Sequence, residues 1–167
     1  MLSSLSRRSL STASKPYRIL GLQQVAIGGA NLTALTDLWT GAFDAKKIGD
    51  FQSESENVDE NIMTVGKGPL GTIEIDLMMA LDPAKKPNPS SPALNHLGLW
   101  VDDINACVEH MTGAGYVFAP GGIRKGAAGH DICFLHPKPK TGKGGEGVLI
   151  ELVQAPPEII EAWEKAE

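Results

Sequence analysis

Apolar positions recur along this chain in two rhythms, one helical and one extended, and the same succession of rhythms occurs twice. Residues 24–43, QVAIGGANLTALTDLWTGAF, lie without a gap over residues 96–115, HLGLWVDDINACVEHMTGAG, at an offset of 72. Val25, Ile27 and Leu32 fall on Leu97, Leu99 and Ile104, and Thr40, Gly41 and Ala42 fall on Thr112, Gly113 and Ala114. Each copy reads as a short apolar strand, a polar turn, an amphipathic helix and a helix end at glycine. One supersecondary unit has been used twice, and every other segment is read against it.

The first unit is predicted to open with a strand over 21–27. Gly28, Gly29 and Asn31 turn the chain, and Leu32, Leu35, Leu38 and Trp39 recur at helical spacing up to Gly41. A second strand is expected over 46–51, a polar loop over 52–60, a third strand over 61–65 and a fourth over 72–79. In the fourth, Thr72, Glu74 and Asp76 alternate with Ile73, Ile75 and Leu77. Four prolines between 83 and 92 mark a linker. The second unit then repeats the plan. It has a strand from Leu94, a helix over 104–111 capped by Asp102 or Asp103, and further strands over 116–119, 132–135 and 148–153. Glycine-rich loops fill 121–131 and 137–147. Pro156 and Pro157 close the sheet and leave 157–167 as a tail. The fold class expected is α+β: two tandem βαβββ modules, 18–82 and 93–156, forming one domain with a curved mixed sheet around a trough.

Composition narrows the function classes. With 42% apolar and 21% charged residues the chain has the balance of a folded globule. Two cysteines, Cys107 and Cys133, supply no disulfide framework and no thiolate metal site, and both sit in apolar surroundings as buried thiols. The basic residues Arg7, Arg8, Lys15 and Arg18 crowd the first 36 positions, where no acid occurs, and the remainder carries 11 basic against 20 acidic residues. So acidic a body excludes nucleic acid as the expected partner. No apolar run approaches the length of a membrane span. Residues 1–15, MLSSLSRRSLSTASK, are serine-rich, acid-free and arginine-bearing, with Leu2, Leu5 and Leu10 near one helical face. They are expected to be a targeting peptide for the mitochondrial matrix, outside the fold.

The chemistry lies in polar residues placed inside apolar strands. His96 interrupts LNHLGLWV and Glu151 interrupts VLIELV. Either alone reads as a hydrogen-bonded core histidine or an edge-strand carboxylate. The repeat adds Gln24 at the place of His96 and Asp76 at the place of Glu151, with Glu74 a competitor on the same strand face. Gln24 to Asp76 spans 52 residues and His96 to Glu151 spans 55. An imidazole, two carboxylates and an amide oxygen suit a divalent cation, with Co, Zn, Ni, Mn and Fe(II) all admissible by donor type. Ala26 and Gly98, two positions further on, are small and leave space above such an ion. Arg124, Lys125, Lys138, Lys140 and Lys143 form a positive rim on the loops of the second unit, suited to a phosphate or carboxylate. His130, on a glycine loop, is placed to touch a ligand. GxGxxG after a strand and GxxxxGK[ST] are both missing, so no nucleotide cofactor is indicated.

The stretches NHLGLWVDDINACVEHM, RKGAAGHDICFLHPK and GGEGVLIELVQAP resemble the vicinal-oxygen-chelate superfamily. Its members include glyoxalase I, methylmalonyl-CoA epimerase, ring-cleaving dioxygenases and proteins that sequester drugs. The resemblance covers about residues 20–155. The second unit is similar to methylmalonyl-CoA epimerase, whereas the Gln23–Gln24 pair is similar to glyoxalase I of the animal type. It implies paired βαβββ modules, a homodimer and a metal held by Gln24, Asp76, His96 and Glu151. It also implies abstraction of a proton next to a carbonyl in an acyl-CoA or a glutathione adduct. The base implied in an epimerase aligns with Asn61, which is no base. Glu60 is one residue away, and strand alternation is expected to turn it from the site unless a bulge intervenes. Glu151 is a second candidate for proton transfer. Gly28, Ala80 and Leu149 depart from the glyoxalase pattern. A non-catalytic small-molecule binder is the remaining alternative.

Overall fold

The computed structural model describes residues 14–166, so most of the expected targeting segment, 1–15, lies outside the described residues. The first unit comprises β1 (Ile19–Gly28), α1 (Leu32–Gly41), β2 (Lys46–Ser53), β3 (Val58–Val65) and β4 (Ile73–Ala80). The second comprises β5 (Leu94–Val101), α2 (Ile104–Gly113), β6 (Arg124–Lys125), β7 (Asp131–Leu135) and β8 (Ile150–Gln154). A third helix, α3 (Pro157–Ala166), follows. The strands form one eight-stranded curved mixed sheet in the order β2-β3-β4-β1-β5-β8-β7-β6. Strand β1 runs parallel to β4, and β5 parallel to β8, while β1 and β5 join the units antiparallel. The order reads the same from either edge, as a doubled unit requires.

Local chemistry repeats with the sequence. Asn31 caps α1 by accepting from the Ala34 amide at 3.0 Å, and its repeat mate Asp103 caps α2 by accepting from Ala106 at 2.9 Å. Asp102, the other candidate cap, instead accepts from the Arg18 backbone and guanidinium at 2.6 Å each. Both helices cover the convex face. Met63, Ile75 and Leu77 pack towards α1, and Val101, Cys133 and Leu152 pack against Ile104 and Cys107 of α2. The two cysteines are buried and free.

Three expectations change. The tail is a helix: Pro157 starts α3, where its missing N–H costs nothing. Ile159 then packs with Leu20, Trp100, Ile132 and Val153 at one end of the trough. The expected strand 116–119 makes only single bridges, Tyr116 to Lys143 and Phe118 to Leu135, and the sheet edge is β6, inside the expected loop. The expected loop 52–60 shrinks to a turn between Ser53 and Val58, because β2 and β3 pair as far as those two residues. Among the described residues no helix is long and apolar enough to cross a membrane.

Candidate active site

The β1–β5 pairing sets the centre of the trough. Gln24 lies opposite Gly98, and Ala26 opposite His96, so the two repeat-related polar residues are diagonal neighbours across the pseudo-dyad. Asp76 lies beside Ala26 on β4, and Glu151 beside Gly98 on β8. Gly98 is needed for a reason beyond spare volume: a Cβ there would come within 2.6 Å of Gln24 Cγ and 2.7 Å of Gln23 Oε1. A register shift between Leu22 and Gln24 turns Gln23 to the trough as well. The resulting cavity, about 230 Å³, is lined by Gln24, Glu60, Asp76, His96, Glu151 and the loop cations Arg124 and Lys125.

Three of these side chains meet. Gln24 Nε2 lies 2.8 Å from His96 Nε2 and donates to Glu151 Oε2 at 2.9 Å, and His96 Nε2 is 3.2 Å from Glu151 Oε2. His96 and Glu151 are 7% and 5% exposed, so this polar group lies at the buried floor of the cavity. Asp76 shares the cavity but stands apart from the three; among the described residues no donor reaches its buried Oδ1, nor Gln23 Oε1. Among the described residues no group of three or more His, Cys, Asp or Glu is close enough to hold a metal. The convergent set has two such residues plus an amide.

The chemistry of this donor set fits a divalent cation. Neighbouring ligands of one ion, each about 2.1 Å from it, lie roughly 3 Å apart, as these three atoms do. Turning the Gln24 amide over would present its oxygen in place of its nitrogen. Five carboxyl groups line the cavity, Glu56 at its exposed rim and Glu60, Glu74, Asp76 and Glu151 deeper, where burial disfavours charge. Burial, then repulsion from Glu60 and Glu74, pushes Asp76 up to about 8 against the opposing pull of His96. Burial, then repulsion from Glu151 and Glu56, pushes Glu60 up to about 7. Burial also raises Glu74, against a hydrogen bond from Gln23. Carboxyl groups outnumber the two cations, Arg124 and Lys125, that line the same cavity.

Glu60 faces the trough, contrary to the expected alternation. Strands β3 and β4 pair without a bulge, Glu60 opposite Met78 and Ile62 opposite Asp76, so Glu60, Ile62 and Asp76 share a face. Asn61 points the other way and donates to Thr36 Oγ1 on α1 at 2.8 Å. Of the expected rim, Arg124 lines the cavity and lies 5.2 Å above the Phe134 ring. Lys125 also lines it, paired with Asp131 at 2.9 Å. His130 lines it too, edge-on to Trp100 at 5.2 Å. Lys138, Lys140 and Lys143 do not line it, and Lys143 donates to the Ala114 carbonyl at 2.8 Å. Gln23 and Asn95 escaped the reading of the sequence. The doubled glutamine was the one trace of the bulge, and Asn95 looked like a strand-opening polar residue.

A second cavity of about 1010 Å³ adjoins the first and shares Met78, His96, Arg124 and Phe134 with it. Its far wall is the inter-unit linker, including Lys86, Pro89 and Pro92.

Comparison with known proteins agrees with this architecture. A family model described as the glyoxalase/bleomycin resistance protein/dioxygenase superfamily matches residues 23–134. The mitochondrial methylmalonyl-CoA epimerase of Dictyostelium discoideum is 31% identical over 137 residues, covering 78% of this chain and 76% of that protein. Among solved structures, the methylmalonyl-CoA epimerase of Mycobacterium tuberculosis superposes with a TM-score of 0.68 at 23% identity, over 86% of this chain and 93% of that one. A Streptomyces coelicolor methylmalonyl-CoA epimerase variant in complex with 2-nitronate-propionyl-CoA gives 0.70 at 18% identity, over 83% and 99%. At these identities the structural matches speak to the fold.

Proposed function

Because the chain belongs to the glyoxalase/bleomycin resistance protein/dioxygenase superfamily, we propose that it is a divalent-metal-dependent isomerase. It abstracts the proton next to the carbonyl of a 2-substituted acyl thioester, as a methylmalonyl-CoA epimerase does. The observation that carries this reading is one buried cavity that joins the convergent atoms of Gln24, His96 and Glu151 to a carboxyl group, Glu60, held near neutrality. Gln24, His96 and Glu151 would hold the ion, with the unpartnered Asp76 Oδ1 as the fourth ligand. When bound, such an ion polarises a carbonyl and stabilises the charge that develops on its oxygen.

The chain's own groups then divide the work. Glu60 Oε takes the proton from the carbon, and a carboxyl group near 7 is matched to giving or taking a proton at neutral pH. Glu151 stands on β8, four strands across the sheet from β3, and, protonated and released from the ion, would deliver a proton to the opposite face of the same carbon. Inverting a carbon centre needs a group on each side. Arg124 offers a planar, permanently charged partner for a substrate carboxylate. The larger, more apolar cavity along the linker takes the rest of the thioester.

The test follows the α-proton of methylmalonyl-CoA in deuterated water, with the full chain loaded with Mn(II) or Co(II). Metal-dependent exchange is expected, and its absence sinks the epimerase reading. One observation favours a second reading. The first-unit ligand is a glutamine, as in glyoxalase I, and the same protein assayed on the glutathione thiohemiacetal of methylglyoxal decides between them.

Two further parts of the proposal are separable. Residues 1–15 carry the chain to the mitochondrial matrix, and a reporter fused to residues 1–18 that stays in the cytosol refutes this. The enzyme is a homodimer, which sedimentation checks. Of the large apolar residues, Trp39 packs in the first-unit core, Trp163 packs against the trough-end core and Leu77 is fully buried. Leu38, Phe43 and Ile48 remain exposed.

A further inference from the structure

We propose that Asn95 is a positioning residue that fixes the tautomer of His96, and that it takes its own orientation from a carbonyl in the linker between the units. Three contacts determine the polarity of the chain of hydrogen bonds. Asn95 Nδ2 lies 3.1 Å from the Pro89 carbonyl oxygen. A carbonyl only accepts, so this end of the amide is the NH₂ group and cannot be turned over. The oxygen end, Oδ1, therefore faces His96 Nδ1 at 2.9 Å. An amide oxygen also only accepts, so Nδ1 carries the proton. In the neutral imidazole Nε2 is then left with its lone pair. That lone pair points at Gln24 Nε2, a donor, at 2.8 Å, and the second N–H of the same amide serves Glu151 Oε2 at 2.9 Å. Every contact from Pro89 to Glu151 agrees in donor and acceptor sense. The odd one is His96 Nε2 to Glu151 Oε2, at 3.2 Å with no proton between them.

The Pro89 carbonyl is itself held. Pro89 is buried. Ser90 Oγ donates to the Gly29 carbonyl at 2.8 Å, and the Ser90 amide donates to Asn88 Oδ1 at 3.0 Å. Gly28 N donates to Ala93 O at 2.7 Å. Asn57, buried in the β2–β3 turn, donates to the carbonyls of Asp82 and Pro87 and accepts from the Asp82 amide. The linker is thus a fixed wall that sets the imidazole through Asn95, and it does so from a position outside the coordination sphere.

The consequence for metal binding rests on the proposed function, in which His96 offers Nε2 to a cation; the tautomer itself does not. The test uses the full chain labelled with ¹⁵N-histidine, stripped of metal by a chelator, at about pH 8, where imidazole is mostly neutral. Long-range ¹H–¹⁵N correlation reads both ring nitrogens, and His96→Gln identifies the signals among four histidines. The expected pattern is Nδ1 protonated and Nε2 bare in the wild type. In Asn95→Leu a substantial fraction should shift to the Nε2–H form. Asn95→Asp, which keeps an acceptor, should restore the wild-type pattern. Mn(II) affinity should fall about 10–100-fold in Asn95→Leu, the usual cost of losing a partner that orients a ligating histidine. An Nε2–H imidazole in the wild type overturns the inference without any variant having to fold. So does an Nδ1–H pattern that survives Asn95→Leu. If the tautomers behave as stated and Mn(II) binds none of the proteins, the inference stands and the metal reading fails.

Discussion

Gly28 and Trp100 occupy the same place in the repeat, 72 residues apart, and they close the two ends of the trough in opposite ways. At the first end the linker crosses so closely that a Cβ on Gly28 would come within 1.9 Å of the Pro89 oxygen. The residue is small so that a polar backbone can reach the site. At the other end Trp100 packs with Leu20, Ile132, Val153 and Ile159 beneath α3. That end is sealed by apolar contact, and the linker end abuts the larger cavity. The carboxyl groups divide similarly. The first half contributes Glu60, Glu74 and Asp76, all pushed up by burial first and then by repulsion from neighbouring carboxylates, Glu151 among them. The second half contributes Glu151, already engaged by Gln24 and beside His96. Duplication supplied the frame, and the halves then diverged, the first gathering buried carboxyl groups of raised pKa and the second a histidine beside a single engaged carboxylate.

The largest effect expected from this division is on Glu60. Glu60→Gln should lower α-proton exchange by about 10²–10⁴-fold, the range for losing a general base, while Mn(II) affinity stays nearly unchanged. Glu151→Gln should lose both. Exchange rates and Mn(II) titration on the same preparations check this, and a Glu60 variant that loses its metal would erase the distinction. Next comes the apolar end. Trp100→Ala should cost about 3–5 kcal/mol of stability, as large aromatic truncations in cores do, read by urea unfolding. Gly28→Ala should cost about 1–3 kcal/mol, towards the upper end of overpacking penalties because the obstacle is backbone. It should also loosen the tie from Pro89 to Asn95. If the Gly28 variant is neutral, the linker is not fixed where the contrast requires it.

The frame was legible because the repeat is gap-free through β1, the turn and α1. Strand, cap and helix end therefore recur at one offset, down to Asn31 and Asp103. Legibility failed where the second copy departs from the first. Strand β2 pairs with β3 over eight residues, whereas β6 has two. That strand is Arg124–Lys125, inside a glycine-rich loop that carries no strand pattern. Helix α3 has no counterpart in the repeat, although Pro157 followed by Ile159, Ile160 and Trp163 at helical spacing was there to be read. Four residues of the candidate cavity, Gln24, Asp76, His96 and Glu151, were legible as polar interruptions in apolar strands. The facing of Glu60 was not legible, because β3 begins at Val58, three residues before the apolar pattern does. Its face is fixed by pairing with β4, which sequence spacing alone does not report.

The smallest effect concerns the α3 end alone. Arg18 joins three elements there. Its backbone and guanidinium donate to Asp102 at 2.6 Å, its NH2 donates to Glu164 on α3 at 3.2 Å, and its cation lies 4.8 Å from the Trp163 ring centre. Burial alone would raise Asp102, but the Arg18 N–H groups and charge outweigh it and hold the carboxyl below its ordinary range. An acid depressed in the fold binds its proton more tightly when unfolded. The stability it contributes is therefore present above the ordinary carboxyl pKa of about 4 and drains away as pH falls below it. Hydrogen-exchange protection of the α3 amides should drop over that window, ahead of protection at Gly28 and Gly29. Asp102→Asn should start lower and respond less to acid at that end. Equal acid loosening of both ends in wild type and variant would mean that α3 is held by its apolar face and that the Arg18 contacts add nothing measurable.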